Sequence, residues 1–356
     1  MAEWVQRSYS KGEIDRAGTI LIPWWINYPN HALTPDQLGH AYEVVQNWRT
    51  SHAMPLLTFR MGLTLRATRV ESNALVAQRL KRFSSLMNKL AREPNMKLSQ
   101  MHDLGGCRAI VSDVDAVERL FSLYRGPQDL LKFDSEGSLK CYDYIRTPKP
   151  DGYRGIHVVG RYRPRVQKNE PWSGHRIEIQ LRSQLQHAFA TAVETVTTFT
   201  RFPLKFGGGP DEWRRFFSLM GSALALREGT PLVEGVPTDR DELIQELRER
   251  TKGLKVRQRL AGWTRALRHL PRRNVTKFKW LLLVLNVVEN TIKVTGFNDR
   301  RKAAEALDAL EKREGEAKID AVLVWVRSVT DLKAAYPNYY ADTADFIEAL
   351  NEALRP

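Results

Sequence analysis

The chain has 356 residues and a formal net charge of +14, from 55 Lys and Arg against 41 Asp and Glu. This length predicts about two domains, and a hydrophobic fraction of 42% excludes wholesale disorder. Two cysteines, Cys107 and Cys141, exclude a disulfide framework and a cysteine-rich zinc site. The excess of cations favours a polyanionic partner, which includes nucleotide phosphates, RNA, DNA and anionic membranes.

Neither a signal peptide nor a membrane helix is predicted. The first residues lack the basic-then-apolar pattern of a secretory signal. The longest apolar run, 280–288, contains Asn286 and is far shorter than the roughly 20 residues that span a bilayer. We therefore expect a soluble, cytoplasmic protein with no membrane partner.

The first two hundred residues predict helices that alternate with short strands. Thr34-Pro35-Asp36 marks the start of a helix that runs through Trp48, and leucines at helical spacing predict a helix over 73–91. Further strands are predicted at 108–111, 139–145, 155–162 and 176–181, and further helices at 113–124 and 183–198. This alternation predicts an α/β or α+β sheet domain.

The chain after the breaker at 207–210 predicts a second unit. More helix follows the breaker, and the pattern then becomes β-type at 277–287, 291–295 and 321–326. Asp299 is a candidate cap for a helix to Glu314, and 342–354 predicts the last helix. We expect three parts: a domain at 1–200, a helical basic connector at 201–274 and a small ββαβα domain at 275–356.

Charge is concentrated in one segment of the predicted connector. Residues 243–279 contain twelve Lys or Arg and two acids, a net +10. One interpretation is a solvated helical face. The other is a surface for a phosphate backbone, because clustered cations release condensed counterions on binding nucleic acid. The candidate contacts are Arg257, Arg259, Arg265 and Arg268.

Two segments near residue 100 combine cations, an acid and glycines. On a helix, Arg79, Arg82 and Lys89 would fall roughly along one flank, which suits a polyphosphate. Asp103 precedes Gly105 and Gly106, which lead into a predicted strand. Taken singly, these residues are equally explained as surface charge and a helix cap.

Two further segments follow. Residues 142–157 form a loop shaped by Pro and Gly that carries cations and Tyr153, with a strand after it. In 178–182 polar and apolar residues alternate, so Glu178, Gln180 and Arg182 share one strand face.

In this order and spacing, the four segments resemble the synthetase domain of the RelA/SpoT family. Residues 103–108 resemble its D-x-x-G-x-R motif, 143–157 its D-Y-I-x-x-P-K-P-x-G-Y-R-x-x-H motif, and 178–182 its E-I-Q-x-R motif. The resemblance covers roughly residues 9–198. It implies an α+β fold with a nucleotidyltransferase-like mixed sheet flanked by helices, and transfer of pyrophosphate from ATP to a nucleotide 3′-hydroxyl.

The resemblance also implies roles for individual residues. Asp103 and Glu178 are the expected catalytic carboxylates and Mg²⁺ ligands, because Mg²⁺ prefers oxygen donors; Glu178 is alternatively the base for the 3′-hydroxyl. The expected ATP-binding residues are Arg79, Lys81, Ser84, Lys89 and Arg108. The expected acceptor-binding residues are Lys149, Tyr153, Arg154, His157, Gln180 and Arg182, with Tyr153 stacking on the acceptor base.

The acceptor itself stays open. Gly155 stands where many family members have Ser, and the usual His does not come directly after Glu194. Most relatives modify GDP or GTP, whereas a toxic subgroup modifies the 3′-CCA end of tRNA and halts translation. The basic segment favours tRNA, because a free nucleotide needs no extended cationic surface. A catalytically inert RNA-binding module is a third possibility.

The last unit resembles, more weakly, the C-terminal domain of single-chain toxin–antitoxin synthetases of the CapRel type. That resemblance implies a degenerate zinc-finger-like fold that restrains the enzyme until a phage protein binds it. Tyr336 and Tyr339 lie three residues apart and resemble a neutralising Y-x-x-Y motif. The alternative is that both rings are ordinary hydrophobic residues before the last helix.

Overall fold

The computed structural model describes residues 4–27, 33–125, 131–132, 140–200, 204, 208–266, 278, 280–286, 291–311, 319–325 and 343–355. Its helices are α1 (Lys11–Asn27), α2 (Pro35–Ser51), α3 (Ala53–Val70), α4 (Phe83–Arg92), α5 (Val114–Arg125), α6 (Gln184–Thr200), α7 (Asp211–Glu228), α8 (Arg240–Gly253), α9 (Val256–Ala266), α10 (Arg300–Glu311) and α11 (Ala344–Ala353). Its strands are β1 (Leu75–Leu80), β2 (Gly105–Val111), β3 (Leu131–Lys132), β4 (Lys140–Asp143), β5 (Ile156–Tyr162), β6 (Arg176–Ser183), β7 (Trp280–Asn286), β8 (Thr291–Phe297) and β9 (Ile319–Trp325).

The described strands form one mixed sheet. Its order is β3-β5-β6-β2-β1-β9-β7-β8, and β4 pairs with β5 as well. Strands β2 and β6 are parallel, whereas the other described pairs are antiparallel. Helices flank this sheet, so the predicted α+β class with a mixed sheet is confirmed.

The two faces of the sheet have different environments because successive side chains of a strand point to opposite sides. One face is apolar: Ile177, Ile179 and Leu181 of β6 pack in a core with side chains of α3 and α5. The alternate residues of β6, which include Glu178 and Gln180, therefore lie on the other face. This second face carries the polar residues that the sequence singled out.

The helix predicted over 73–91 is half wrong. Residues Leu75–Leu80 form strand β1, which pairs with β2 along its whole length. A helix begins only at Phe83. The leucine spacing fits a helix equally well, and the neighbouring strand β2, which no local pattern reveals, decides the outcome.

A second core joins parts of the chain that the sequence assigned to three different domains. Phe189 of α6, Phe216 and Phe217 of α7, and Phe346 of α11 are all buried in it. Ring centroids of Phe346 lie 6.3 to 6.4 Å from those of the other three. The predicted connector and the last helix therefore complete the packing around α6, while the exact domain boundaries stay predictions.

The C-terminal strands extend the sheet. Within the described residues, the order β7-β8-α10-β9-α11 matches the predicted ββαβα pattern. Strand β9 pairs with β1 at two positions, Val324 opposite Arg79 and Trp325 opposite Gln78. The Tyr42 hydroxyl on α2 also donates to Asp308 on α10 at 3.0 Å. The last unit therefore contacts the first one directly beside a predicted ATP-binding residue.

Among the described helices, none is both long and apolar enough to cross a membrane.

Candidate active site

Asp103 lies between two lysines just before β2. Its Oδ2 is 2.7 Å from Lys81 Nζ, and its Oδ1 is 3.2 Å from Lys89 Nζ. Lys81 follows β1 and Lys89 is on α4, so the loop into β2 brings together residues from three elements. Burial by itself raises the pKa of Asp103, but the two ammonium groups outweigh it and the net pKa is lowered. Asp103 is therefore ionised at neutral pH.

Glu178 is the end of a chain of hydrogen bonds on the same face. His157 Nδ1 lies 3.0 Å from Glu178 Oε1, and Gln180 Nε2 donates to Glu178 Oε2 at 2.7 Å. Tyr153 Oη lies 2.6 Å from His157 Nε2 and accepts from Arg182 Nη2 at 2.9 Å. Because an ionised Glu178 only accepts hydrogen bonds, the hydrogen between these two residues lies on His157 Nδ1.

This network keeps Glu178 charged although its side chain is only 11% exposed. Burial by itself raises the pKa of Glu178. The His157 imidazole and the Gln180 amide outweigh burial, so the net pKa is well below its usual range. Burial raises the pKa of Tyr153, so its hydroxyl keeps its proton. The site thus holds two anionic carboxylates at neutral pH.

Gly106 leaves open space beside Glu178. It lies opposite Glu178 in the parallel pair β2–β6 and opposite Arg79 in the pair β1–β2. A Cβ built on Gly106 would meet nothing within 4 Å. Mg²⁺ is usually held by one or two carboxylates together with substrate phosphates. Two ionised carboxylates are available here, and the open space leaves room for the phosphates. Asp103 and Glu178 therefore fit the predicted metal, although the described residues contain no cluster of three or more candidate ligands.

The strand register places the remaining predicted ATP-binding arginines on this face. Arg79 lies opposite Gly106, and Arg108 lies opposite Gln180. Arg108 is buried, whereas Arg79 is half-buried. Together with Lys81 and Lys89, which contact Asp103, they bring four cations to the site.

Ser84 and Ser85 both lie in the first turn of α4. Residues three and four apart lie on one side of a helix. Ser84 therefore lies with Asn88, which accepts a hydrogen bond from Trp25 Nε1 at 2.7 Å, and Ser85 lies with Asn88 and with Lys89, whose amine contacts Asp103. Ser84 stays the predicted ATP contact, and Ser85 is a second candidate.

Replacing Ser84 by Ala is expected to raise the KM for ATP about ten- to 150-fold, because a hydrogen bond to a charged group contributes about 1.5–3 kcal/mol. Ser85→Ala is the comparison, and the larger rise identifies the hydroxyl that contacts the phosphates. Steady-state kinetics with varied ATP measures both. An unchanged KM in both variants would contradict a serine contact to ATP.

Two of the predicted acceptor residues hold the loop around Tyr153. Lys149 Nζ lies 4.3 Å from the centroid of the Tyr144 ring and 5.2 Å from that of the Tyr153 ring. The Tyr153 ring meets His157 edge-on at 5.6 Å. These residues are thus in place beside Glu178, and Tyr153 has a positioning role through its hydroxyl in addition to its predicted stacking role.

Arg154 points away from the site, which the sequence did not predict. It is 3% exposed, and its Nε and Nη1 donate to the carbonyl oxygens of Gly221 at 3.2 Å and Ile145 at 3.3 Å. Burial lowers its pKa to about 10. Arg154 therefore ties the loop to α7 rather than contacting the acceptor.

Helix α7 supports the acceptor loop through a close backbone contact. A Cβ on Gly221 would come within 2.6 Å of the Gly152 carbonyl oxygen, and a Cβ on Gly152 within 2.4 Å of the Phe217 carbonyl oxygen. Gly152 also has φ +83°, in the region that favours glycine. The Ser218 hydroxyl adds a hydrogen bond to Pro150 O at 2.5 Å. Residues beyond 200 thus position the loop that carries Tyr153.

Sequence reasoning missed a row of rings beside the site. Tyr142 and Tyr144 have nearly parallel rings, 4° apart with centroids 6.0 Å apart. His102 also stacks on Tyr142, at 6.3 Å and 20°. The sequence did hold a signal for this row. Tyr142 lies in β4 and Tyr144 directly follows that strand, and residues two apart share a strand face.

Of the four predicted tRNA contacts, two are described in full. Arg257 and Arg259 on α9 are exposed, and the Arg259 guanidinium lies 5.9 Å from the Trp213 ring centroid. Arg265 lies in the last turn of α9, and nothing is described of its side chain. Arg268, Tyr336 and Tyr339 lie outside the described residues.

Comparison with known proteins gives a match in the part of the chain that contains this site. Residues 78–199 match the family model described as "Region found in RelA / SpoT proteins". This part of the chain therefore carries the region that RelA/SpoT proteins share, and it contains every described catalytic candidate. Over 87 residues the chain is 34% identical to GTP pyrophosphokinase YwaC of Bacillus subtilis, which amounts to 23% of this chain and 38% of that relative's length.

Solved structures of related proteins are similar at low sequence identity. Small alarmone synthetase 1 from Bacillus subtilis, bound to its product pppGpp, is 19% identical with a TM-score of 0.41, over 50% of this chain and 89% of that chain. Small alarmone synthetase 2 from the same organism is 20% identical with a TM-score of 0.42, over 52% of this chain and 94% of that chain.

Proposed function

We propose that the protein is an ATP-dependent pyrophosphokinase that transfers the β,γ-diphosphate of ATP to a 3′-hydroxyl. The observation that carries the proposal is the pair of ionised carboxylates: Asp103, held by two lysines, and Glu178, which lies beside the gap at Gly106. Phosphoryl transfer depends on positioning and on charge neutralisation more than on a covalent nucleophile. The described site offers both.

The donor side binds the triphosphate. Lys81, Lys89, Arg79 and Arg108 neutralise its oxygens, while Asp103 keeps the two lysine amines in position before ATP binds. When bound, Mg²⁺ on Asp103 and Glu178 would neutralise charge on the phosphate oxygens. Charge that builds up on the β-phosphoryl oxygens in the transition state is met by cations that are already oriented.

The acceptor side orients the hydroxyl. The 3′-oxygen forms a bond to the β-phosphorus, the bond from that phosphorus to the α–β bridging oxygen breaks, and AMP leaves. Glu178 accepts the hydroxyl proton, and His157 fixes the carboxylate through its Nδ1 hydrogen bond. The lowered pKa of Glu178 makes it a weak base, which suits a loose transition state in which the proton leaves late.

For the acceptor we propose the 3′-CCA end of tRNA, so that the reaction inhibits translation. Exposed Arg257 and Arg259 on α9 support this choice, because an extended cationic surface is useful only for a large polyanion. The second candidate acceptor is GDP or GTP. It is supported by the relative named GTP pyrophosphokinase.

We further propose that the C-terminal unit restrains the enzyme and that a phage protein releases it, as in a toxin–antitoxin system for anti-phage defence. What supports this is the position of β9, which pairs with β1 at Arg79 on the donor side. Tyr336 and Tyr339 are the proposed restraining residues. A partner that binds the released state shifts the population from the restrained to the released state, by no more than its difference in affinity for the two.

One experiment separates the acceptors. With ATP labelled in the β and γ phosphates, we expect label on the tRNA 3′-end and AMP release. Arg257→Glu with Arg259→Glu should weaken tRNA modification about tenfold or more at low salt and leave the KM for ATP unchanged. The matched control is Arg69→Glu with Arg119→Glu, two exposed arginines on α3 and α5. Label on GDP or GTP alone, or equal loss in the control, would reject the tRNA acceptor.

A further inference from the structure

We propose that Tyr142 and Tyr144, with Lys140, Arg161 and Arg176, form a track for the unpaired nucleotides that precede the 3′-terminal residue of the acceptor. The inference rests on the proposed pyrophosphokinase function and narrows its substrate class to single-stranded polynucleotide ends. The 3′-terminal residue itself would lie at Tyr153 and Glu178. The track would hold one or two residues before it.

The ring geometry is the first observation. The rings of Tyr142 and Tyr144 are within 4° of parallel with centroids 6.0 Å apart, so a base that joins this row would take their orientation. Tyr142 lies opposite His157 in the pair β4–β5, which places both rings beside the Glu178 network. A mononucleotide has one base, and Tyr153 already provides a ring for it. Two further parallel rings exceed what a single nucleobase can use.

The cations are the second observation. Arg161 lies opposite Arg176, and Lys140 lies opposite Val159, which in turn lies opposite Glu178. Directly opposed residues share a face, so all three cations lie on the face of Glu178. The pKa of Arg176 is lowered by burial and by the Arg161 guanidinium, so the two charges are close together. Like charges on neighbouring strands repel, and a bound phosphate would relieve that repulsion.

An open groove adjoins two of these cations, Lys140 and Arg176. Its volume is about 650 Å³, and its lining includes Asn95, Gln100, Lys140 and Arg176. Arg176 Nη1 donates to Gln100 O at 2.7 Å, which fixes the guanidinium at the wall. Lys140 Nζ lies 5.8 Å from the centroid of the Tyr142 ring. Cations next to stacking rings are what sequence-tolerant binding of single strands requires.

The groove also contains one acid. Glu93 lies in its lining, and its Oε1 is 3.4 Å from Arg92 Nη2. Its charge is thus partly balanced by the neighbouring arginine. The net charge of the lining side chains Glu93, Lys140 and Arg176 is positive, which favours a phosphate.

The test compares acceptors that share the same 3′-terminal adenosine: AMP, the dinucleotide CpA, the trinucleotide CpCpA and tRNA. For the wild-type chain, KM should fall as the acceptor lengthens to three residues. Tyr142→Ala should raise the KM for CpCpA about five- to a hundredfold, with the KM for AMP and for ATP unchanged. Lys140→Ala with Arg161→Ala should reduce the slope of log affinity for CpCpA against log salt by about 1.4. The matched control is Arg119→Ala, on the opposite side of the sheet.

The outcomes are distinct. Equal KM for AMP and CpCpA in the wild type would overturn the track, and so would variants that raise every KM alike. Transfer to GDP or GTP alone would overturn the track and the tRNA acceptor but leave the pyrophosphokinase in place. If no acceptor is modified at all, the proposed function fails. In that case the affinity for CpCpA is measured by fluorescence without ATP. Weaker binding by Tyr142→Ala than by the wild type would support the track, and equal binding would overturn it.

Discussion

Replacing Glu178 by Gln is expected to lower AMP release from ATP and acceptor by about a hundred- to ten-thousandfold. The amide keeps the shape of the side chain but removes the negative charge that His157 and Gln180 hold in place. It also removes a metal ligand and the proton acceptor. Asp103→Asn should have an effect of similar size, because Lys81 and Lys89 lose the anion between them.

Single-turnover kinetics with labelled ATP measures this loss, and thermal unfolding checks that the variants are folded. Glu170→Gln, an exposed acid, is the matched control. Full activity of both Glu178→Gln and Asp103→Asn would mean that the site is assigned wrongly. The pKa of each carboxyl is lowered in the folded chain, so both stay ionised as the pH falls through their ordinary range. We therefore expect no loss of activity from these two groups down to about pH 4, where unshifted carboxyls would be roughly half protonated.

Replacing Phe346 by Ala is expected to destabilise the whole protein by about 3–5 kcal/mol, as large-to-small changes of buried aromatic residues do. Phe346 is 1% exposed and packs against rings of α6 and α7. Urea unfolding measures the change. Glu348→Ala, an exposed position on the same helix, is the control. A chain that unfolds at the same urea concentration with Ala at 346 would contradict the shared core.

The same core changes how regulation has to be tested. Truncation near Pro271 would remove α11 and uncover Phe189, Phe216 and Phe217. We expect an aggregating product and no free, active enzyme. The proposed restraint is therefore tested in the full chain: Tyr336→Ala with Tyr339→Ala should make expression inhibit bacterial growth, and Glu178→Gln added to it should abolish that inhibition. A folded, harmless double variant would reject the restraint.

Local patterns predicted the parts of the structure that local forces decide. The start of α2 is one. The Thr34 hydroxyl accepts from the Gln37 backbone N–H, and the Gln37 side-chain oxygen accepts from the Thr34 backbone N–H, which is a capping box at the predicted helix start. Alternation predicted the face that Glu178 and Gln180 share. The position of Asp103 between lysines follows from spacing and strand order together.

The errors arose where a distant segment decides the outcome. Strand β1 exists because β2 pairs with it, and Arg154 turns away from the site because Gly221, 67 residues later, offers a carbonyl. The local sequence around β1 gives no sign of its pairing with β2, and the sequence around Arg154 gives no sign of its bond to Gly221. The contribution of α7 to the acceptor loop was missed for the same reason, since a glycine pair has no pattern that points across 69 residues from Gly152 to Gly221.

The pairing of β9 with β1 gives any release of the C-terminal unit a definite cost. With β9 in place, β1 is an inner strand. If β9 left, β1 would become an edge strand with unpaired N–H and C=O groups at Gln78 and Arg79, and such edges invite pairing with other chains. A protein that displaces β9 would therefore do best by adding a strand of its own in the same place. It would then be holding the very strand that carries Arg79.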